Sequence, residues 1–399
     1  MSTDPRKVGL FLVGARGAIA TTVLHGLEGL RSGIPPIGMV TALPEFDLAG
    51  MVATTTLRLR GWDVSGDCNR TAEELVRTGV LPADLVDICA ELRDRYEMSM
   101  APGVPEVGDA DSASPGARER LNLPLTLVVE ELRNDIREWM REEPFAEAVV
   151  VNVSTAERQT TIPKEWQNPN ADPLALLESA PADLSRSVLY ALAAIAEGVP
   201  FVNFTPAFGA SVPAVAAWAE RRGVPVLGND GKTGETLLKT VVAPMFRDRN
   251  LNVMAWEGYN MLGNRDGAAL VDPDRRASKI QNKDAVLGSI LGPGRRHTGV
   301  SIDFVPSLHD WKTAWDFIHF EGFLGTQMTL QFTWQGCDSA LAAPLILDLA
   351  RVALLAKSRG HGGPLVAAAA FFKAPLECQT HDFHQQMDIF RRWMNSSHD

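Results

Sequence analysis

The most constraining feature of the sequence is an unbroken apolar run near its start, Val8–Val13, followed by the turn Gly14-Ala15-Arg16-Gly17. A strand that is apolar at every position is typical of a parallel sheet covered on both faces. Residues 18–30 then have helical character, so the segment predicts a strand, a glycine turn and a helix. Such a turn presents backbone N–H groups at a helix N-terminus, where the helix dipole favours an anion such as a pyrophosphate.

The glycine pattern of this turn matches a dinucleotide fingerprint only in part. Gly14 and Gly17 occupy the second and third glycine positions of G-x-G-x-x-G, but Leu12 occupies the first. Two interpretations therefore stay open, a dinucleotide site and a packed strand–turn–helix pair that binds nothing. Asp63 could accept a hydrogen bond from an adenosine ribose hydroxyl, although it lies farther along than the roughly 20 residues of the usual fingerprint.

The remaining apolar runs predict the fold class. Strand-like runs at 148–153, 199–204 and 225–227 alternate with helical stretches at 183–197 and 214–222. This alternation predicts an α/β fold, a Rossmann-like doubly wound parallel sheet. The segment 100–114, rich in Pro, Gly and Asp, predicts a surface loop.

The pattern changes after Asn252. Residues 300–304 and 327–334 alternate with a two-residue period, which predicts an antiparallel sheet with one open face, and 340–357 predicts a long helix. We therefore predict a dinucleotide-binding Rossmann-like domain at 1–236 plus 341–399. Residues 237–340 would form an inserted α+β catalytic and oligomerisation domain.

Composition excludes several function classes. The net charge of -11 over 399 residues argues against a nucleic-acid-binding surface, so an anionic substrate would need a local basic pocket. The cysteines are far apart and form no CxxC pair, which indicates reduced thiols in a cytoplasmic protein. The most apolar stretch, 340–355, contains Asp348 and Arg351, so we expect a soluble protein without a membrane span. His381 and His384 have HxxH spacing but no third ligand nearby, so we expect no metal.

Gly231-Lys232-Thr233 resembles the end of a P-loop. That motif needs a glycine where Val226 stands, so a nucleoside triphosphate site is excluded. Thr233 is predicted to cap the helix that follows, which would create an anion-binding helix start. An ordinary capped surface helix remains the alternative.

Several motifs carry a family resemblance when they are taken together. In chain order they are GWDV at 61–64, TAER at 155–158, NFTP at 203–206, YNMLGNRDG at 259–267, SKIQNK at 278–283, HDWK at 309–312, DSALAAPLILD at 338–348 and FKAPL at 372–376. This set resembles the motifs of the myo-inositol-1-phosphate synthase family and extends over most of the chain from residue 8 to 376.

The resemblance implies an NAD-dependent enzyme that closes glucose 6-phosphate to myo-inositol 1-phosphate. The reaction comprises oxidation at C5, enolisation, aldol addition to C1 and re-reduction. Negative charge develops on oxygen at each stage, and fixed cations in a dry pocket stabilise it. Lys279 would assist proton transfer at the C5 oxygen, whereas Lys312 and Lys373 would stabilise the aldehyde oxygen. Asp266 and Asp230 would orient or balance these amines.

The resemblance also implies binding residues and an assembly. Substrate and phosphate would be bound by Lys283, Asn260, Asn264, Arg265, Thr233, Gly234, Glu235 and Thr236. NAD would be bound by Gly14, Ala15, Arg16, Gly17, Ala18, Asp63, Thr155, Asn203, Thr205, Asp230 and Asp348. The family is typically tetrameric, so we expect a homo-oligomer, with a hexose phosphate as its substrate and neither nucleic acid nor membrane as a partner.

The sequence departs from the family pattern at two places near the inferred pocket. Arg265 stands where the family has a second asparagine, and Glu235 replaces an amide in the phosphate-side motif. A carboxylate near a phosphate is unfavourable unless it is paired, and Arg265 or Lys232 could pair it. These departures leave open a cyclase that forms a five-membered cyclitol phosphate from fructose 6-phosphate. A non-catalytic NAD-binding homologue is a further alternative, and the intact lysine set argues against it.

Overall fold

The computed structural model describes residues 7–46, 49–143, 145–158, 160–264, 267, 286–292 and 296–396. The strands are β1 (Val8–Val13), β2 (Leu57–Asp63), β3 (Ala101–Pro102), β4 (Glu147–Asn152), β5 (Phe201–Asn203), β6 (Pro225–Leu227), β7 (Asn252–Leu262), β8 (His297–Phe304), β9 (Trp311–Glu321), β10 (Gln327–Cys337) and β11 (Gly363–Pro364). The α-helices are α1 (Ala18–Arg31), α2 (Cys68–Arg77), α3 (Ala83–Ile88), α4 (Ala90–Met98), α5 (Pro115–Leu121), α6 (Leu125–Glu142), α7 (Pro173–Leu176), α8 (Arg186–Ala196), α9 (Pro213–Arg221), α10 (Glu235–Asp248), α11 (Asp338–Ser358) and α12 (Phe383–Met394).

The larger sheet is parallel throughout and has the order β11-β6-β5-β4-β1-β2-β3. Every residue of β1 is buried, because α1 and α11 cover one face of the sheet and α6, α8 and α9 cover the other. The predicted doubly wound α/β fold is confirmed. The order of the strands reverses between β1 and β4, and ligands bind at the carboxyl ends of the strands at such a switch point.

Helix α11 is the long apolar helix of the core. By length and composition alone it could cross a membrane, but 78% of its most apolar window is buried inside this fold. Its two internal charges are also buried: Asp348 accepts hydrogen bonds from Thr41, and Arg351 donates to the Thr41 hydroxyl at 2.6 Å. The apolar composition of α11 is therefore explained by its position on one face of the parallel sheet, beside α1.

The smaller sheet has the order β10-β9-β7-β8. The prediction of an antiparallel sheet is wrong for one of its strands, because β8 pairs with β7 in parallel over Ala255–Leu262. Alternating hydrophobicity reports which face of a strand is buried and does not report its direction. One face of the sheet packs on α10 through Phe246 and Trp256, and Trp315 on β9 is 41% exposed.

The prediction of a surface loop at 100–114 is wrong for the start of this segment. Ala101 and Pro102 pair with β2 at the edge of the parallel sheet, and Val104 is buried. Proline is compatible with an edge strand because it has no neighbour there to which it must donate. The rest of the segment forms one wall of the cleft described below.

Candidate active site

The described residues enclose a cleft of about 570 Å³ at the carboxyl ends of β1 and β4. The parallel sheet supplies one wall through the turns after its strands, and the inner face of the smaller sheet supplies the opposite wall. Part of the wall comes from the segment that follows β3 and from helix α2. Polar side chains from widely separated parts of the sequence therefore meet in one concave site, as in most ligand pockets.

Most backbone N–H groups of the turn after β1 already donate hydrogen bonds to other groups of the protein. Gly14 and Ala15 donate to the carbonyl of Trp62 at 2.9 and 3.1 Å, and Gly17 donates to the carbonyl of Gly14. Gly14 has φ +87°, and a Cβ on it would lie 2.8 Å from the Cα of Ser154, so only glycine fits. An anion in the cleft could therefore bind the backbone N–H groups in the first turn of α1. This turn has neither a side-chain cap nor an acidic residue.

Asp63 lies at the end of β2, where it closes this turn. Its carboxylate accepts hydrogen bonds from the backbone N–H of Arg16 at 2.6 Å and of Ser65 at 3.2 Å. Burial raises the pKa of Asp63, and these backbone hydrogen bonds act in the opposite direction. The residue lines the cleft beyond α1, in a position to accept a further hydrogen bond from a ligand hydroxyl.

The predicted cofactor-binding residues divide into two groups. Lining the cleft are Gly14, Gly17, Ala18, Asp63, Thr155, Thr205 and Asp230. Four others lie away from it. Ala15 is buried under the turn against Gly61, and the Arg16 side chain pairs with Glu97 at 2.6 Å. Asp348 is fully buried against residues 40 and 41, and Asn203 is in the interior.

Asn203 is the middle member of a row of asparagines that crosses the ends of β4, β5 and β6. The Asn152 amide donates to the Ser187 hydroxyl at 3.0 Å and to the Asn203 carbonyl oxygen at 3.3 Å. The Asn203 amide in turn donates to the side-chain oxygen of Asn229 at 3.1 Å, and Asn229 donates to the backbone of Phe208. This amide row fixes the positions of the loops that precede the catalytic candidates.

Asp230 and Lys373 form the first charged pair in the cleft. The Lys373 Nζ donates to Asp230 Oδ1 at 2.7 Å, and the Lys373 backbone N–H donates to the Asp230 carbonyl at the same distance. Gly231, which forms a β-bridge with Phe372, holds the two segments together. Both side chains are largely buried, at 14% and 6% exposed. The pairing expected between Asp230 and the amines is thereby present for Lys373.

Lys312 forms the second charged pair, on the opposite wall. Its Nζ pairs with Asp338 at the start of α11 and donates to the hydroxyl of Thr233 at 2.9 Å. The Thr233 hydroxyl donates to Asp338 as well, and the Asn264 amide approaches the other carboxylate oxygen at 3.4 Å. Asp338 was not among the predicted site residues, although it opens the DSALAAP motif. Its role as the carboxylate that pairs with Lys312 is visible only in the structure.

The start of α10 differs from the prediction. Thr233 does not cap this helix, because its hydroxyl is engaged with Lys312 and Asp338. The N-cap is Gly234, which makes no side-chain hydrogen bond to the helix. A Cβ on Gly234 would lie 3.0 Å from Lys312 Nζ and 3.4 Å from Trp334 Nε1. The missing side chain therefore leaves a small space that is bordered by two donors and the helix N-terminus.

Glu235 pairs with a lysine that was not considered from the sequence, and Arg265, one of the two cations that were, lies outside the described residues. Its carboxylate lies 2.7 Å from the Nζ of Lys239, one turn along α10, and Lys239 also lies 3.8 Å from Asp316 on β9. Lys239 and Asp316 are 0% exposed, whereas Lys232 points elsewhere and donates to Gln386. The four-residue spacing of Glu235 and Lys239 was the available signal for this pair.

Three side-chain donors on the cleft wall are buried and have no hydrogen-bond partner among the described residues. They are the hydroxyl of Thr236, the amide nitrogen of Asn260 and the indole nitrogen of Trp334. Buried polar groups are nearly always satisfied in native proteins, so unpaired groups lining one cleft indicate a ligand. Thr236 and Asn260 were predicted to bind substrate, whereas Trp334 was not among the predicted site residues.

The other predicted catalytic and phosphate-binding residues, Lys279, Lys283, Asp266 and Arg265, lie outside the described residues. Within the part of the chain that is described, no group of three or more His, Cys, Asp and Glu side chains could hold a metal ion.

Residues 234–339 match the family model described as myo-inositol-1-phosphate synthase. The chain is 32% identical to inositol-3-phosphate synthase 1 of Bacteroides thetaiotaomicron, over 97% of this chain and 93% of that protein. It is 31% identical to inositol-3-phosphate synthase of Spirodela polyrhiza, over 97% and 80% of the two chains. The crystal structure of inositol-3-phosphate synthase from Caenorhabditis elegans superposes with a TM-score of 0.85 at 25% identity, and the match covers 98% of this chain and 86% of that one.

Proposed function

The chain belongs to the myo-inositol-1-phosphate synthase family, and we propose that it cyclises glucose 6-phosphate to an inositol phosphate with NAD as its cofactor. The observation that carries the proposal is the meeting of Lys312 and Lys373 in the cleft beside the glycine turn. These amines come from β9 and from the segment before α12, so only the tertiary fold brings them to one site. Each is held by a carboxylate, which fixes its position before a substrate arrives.

The cleft has features that fit a dinucleotide. The uncapped first turn of α1 suits a pyrophosphate, and Asp63 suits an adenosine ribose hydroxyl. Thr155 and Thr205 follow β4 and β5 and line the same cleft. NAD would take a hydride from the substrate and return it later, so that the overall reaction involves no net oxidation.

The residues of the chain would supply charge and proton control. We propose that Lys373 and Lys312 hydrogen-bond to substrate oxygens, including the C1 aldehyde oxygen, and stabilise the negative charge that develops during ring closure. Asp230 and Asp338 would hold these ammonium groups in place between steps. The cleft walls would exclude water, which strengthens each electrostatic contact.

The substrate phosphate would lie at the N-terminus of α10. Thr233, Gly234, Glu235 and Thr236 line the cleft there, and the helix dipole favours an anion at this end. The carboxylate of Glu235 does not stand unopposed, because the buried Lys239 lies beside it. Asn260 and Asn264 would bind substrate hydroxyls from β7 and the loop after it.

By resemblance we further propose that Lys279 assists proton transfer at the C5 oxygen and that Lys283 contacts the phosphate. Asp266 and Arg265 would complete the site. We also propose the division of the chain into a cofactor domain, 1–236 plus 341–399, and a catalytic and oligomerisation domain, 237–340. The two separate sheets support this division.

We propose a cytoplasmic homotetramer. The smaller sheet supports an oligomer because its outer side carries large exposed apolar residues. Trp311 and Trp315 are 41% exposed, and Phe323 and Leu324 at the β9–β10 turn are 87% exposed. Large exposed apolar side chains gathered on one sheet are typical of a subunit interface. Sedimentation of the purified protein would measure the state directly.

The test is incubation of the pure protein and NAD with glucose 6-phosphate or with fructose 6-phosphate, followed by identification of products by NMR. A six-membered cyclitol phosphate from glucose 6-phosphate supports the proposal. A five-membered product from fructose 6-phosphate would replace it with the related cyclase, and no cyclised product from either sugar would indicate a non-catalytic homologue.

A further inference from the structure

One row of the smaller sheet faces the cleft with its side chains. Asn260 on β7 is in register with Ile302 on β8 and with Ala314 on β9, and Ala314 is in register with Trp334 on β10. All four residues line the cleft. The amide nitrogen of Asn260 and the indole nitrogen of Trp334, which belong to this row, have no hydrogen-bond partner in the described part of the chain. The unpaired donors therefore lie on one surface of the cleft.

The indole of Trp334 reaches the start of α10. Its Nε1 would lie 3.4 Å from a Cβ placed on Gly234 and 2.9 Å from a Cβ placed on Gly336. Glycine at both positions therefore leaves room for the ring to bring its N–H to the N-cap of α10. Lys312 Nζ borders the same space, and the buried, unpaired hydroxyl of Thr236 lies within the first turn of the helix.

We propose that the indole N–H of Trp334 donates a hydrogen bond to a phosphoryl oxygen of the substrate. Indole is a donor only, so it suits an oxygen that carries charge and has no hydrogen to offer. As a neutral donor, it adds affinity without adding another cation to the crowded amines. Because the first turn of α10 and Thr236 supply donors at the same point, Trp334 completes a cradle around the Gly234 space. This assignment rests on the proposed function.

The exchange Trp334→Phe removes the N–H and keeps the aromatic surface. Hydrogen bonds to charged groups contribute enough that we expect KM for glucose 6-phosphate to rise about tenfold to a hundredfold. The kcat value should stay within about twofold of wild type, because the phosphate does not react and its binding is equal in ground and transition states. Trp218→Phe, on α9 away from the cleft, is the matched control and should leave both constants unchanged.

Competitive inhibition by inorganic phosphate shows whether the indole of Trp334 binds the phosphoryl group or a sugar hydroxyl of the substrate. If Trp334 binds the phosphoryl group, the inhibition constant of inorganic phosphate should rise in Trp334→Phe about as much as KM does. An unchanged inhibition constant, with a raised KM, would assign the indole to a sugar hydroxyl and overturn the proposal.

Titration calorimetry with glucose 6-phosphate separates failure of this inference from failure of the proposed function. If the wild-type protein forms no product but binds the sugar phosphate, only the proposed reaction is lost, and weaker binding by Trp334→Phe still supports the phosphate contact. Equal binding by the two proteins refutes the contact, whether or not the protein turns over. No binding by wild type would refute both.

Discussion

The buried ion network beneath the cleft yields the sharpest stability prediction. Lys239 is fully buried, lies 2.7 Å from Glu235 and 3.8 Å from Asp316, and carries the only positive charge of this trio. At an effective dielectric constant of about 20, the two attractions amount to about 6 and about 4 kcal/mol, most of which offsets the cost of desolvation. Lys239→Met removes the attraction but leaves both carboxylates buried, so we expect the free energy of unfolding to fall by about 3–5 kcal/mol.

A double-mutant cycle tests this explanation. Replacing Glu235 by glutamine removes one of the two carboxylates, so Lys239→Met in the Glu235→Gln background should cost about 2 kcal/mol less than in wild type. Urea unfolding followed by tryptophan fluorescence measures each step, since Trp256 donates to Asp316 at 2.7 Å and reports on the network. Lys164→Met, at an exposed lysine, is the control for the loss of a positive charge. Equal costs of Lys239→Met in the two backgrounds would show that the carboxylate is not what makes the lysine necessary.

Three further predictions concern other residues of the cleft and the core. Lys312→Met should lower kcat by at least about 100-fold and leave the Kd for NAD unchanged by calorimetry, because the contact proposed for the ammonium is with a substrate oxygen and not with NAD; a kcat near wild type would remove Lys312 from the mechanism. Burial lowers the pKa of Lys232 from 10.5 to about 7, so the folded state binds fewer protons than the unfolded state above pH 7, and stability rises with pH. In urea titrations the free energy of unfolding of wild type relative to Lys232→Met should therefore increase by about 2 kcal/mol between pH 7 and 9, and a constant difference would contradict the burial. Asp348→Asn should leave the Kd for NAD within about threefold and cost about 1–3 kcal/mol of stability, because its carboxylate bonds to Thr41 and not to the cleft; a large loss of NAD affinity would restore it to the cofactor site.

Much of the fold could be predicted because the local pattern and the tertiary structure agree. The run Val8–Val13 is buried on both faces, and the strands and helices that follow alternate as the hydrophobic pattern indicates. The parallel pairing of β8 could not be predicted, because alternation along a strand contains no information on its direction. The wall formed by 100–114 was missed because proline and glycine signal a turn but not what the turn covers.

Site residues could be predicted where they belong to a recognisable motif. They could not be predicted where the function of a residue depends on a tertiary contact. Lys312 and Lys373 were identified from motifs, and the structure brings both to the cleft. Asp338 and Lys239 were missed because their roles depend on partners that lie at least one strand or one turn away. Asp348 shows the converse, since a motif marks a position and cannot say whether the side chain faces the ligand or the core.

The amide row at the ends of β4, β5 and β6 connects the cleft wall to helix α8 through an unbroken chain of hydrogen bonds. Ser187 on that helix accepts from Asn152, and the row ends at Asn229, next to the aspartate that holds Lys373. Each amide both donates and accepts, so no loop can tilt without breaking a bond to its neighbour. The orientation of an active-site amine is thus determined in part by a serine hydroxyl in the opposite layer of the molecule, and a change confined to that layer can alter the chemistry.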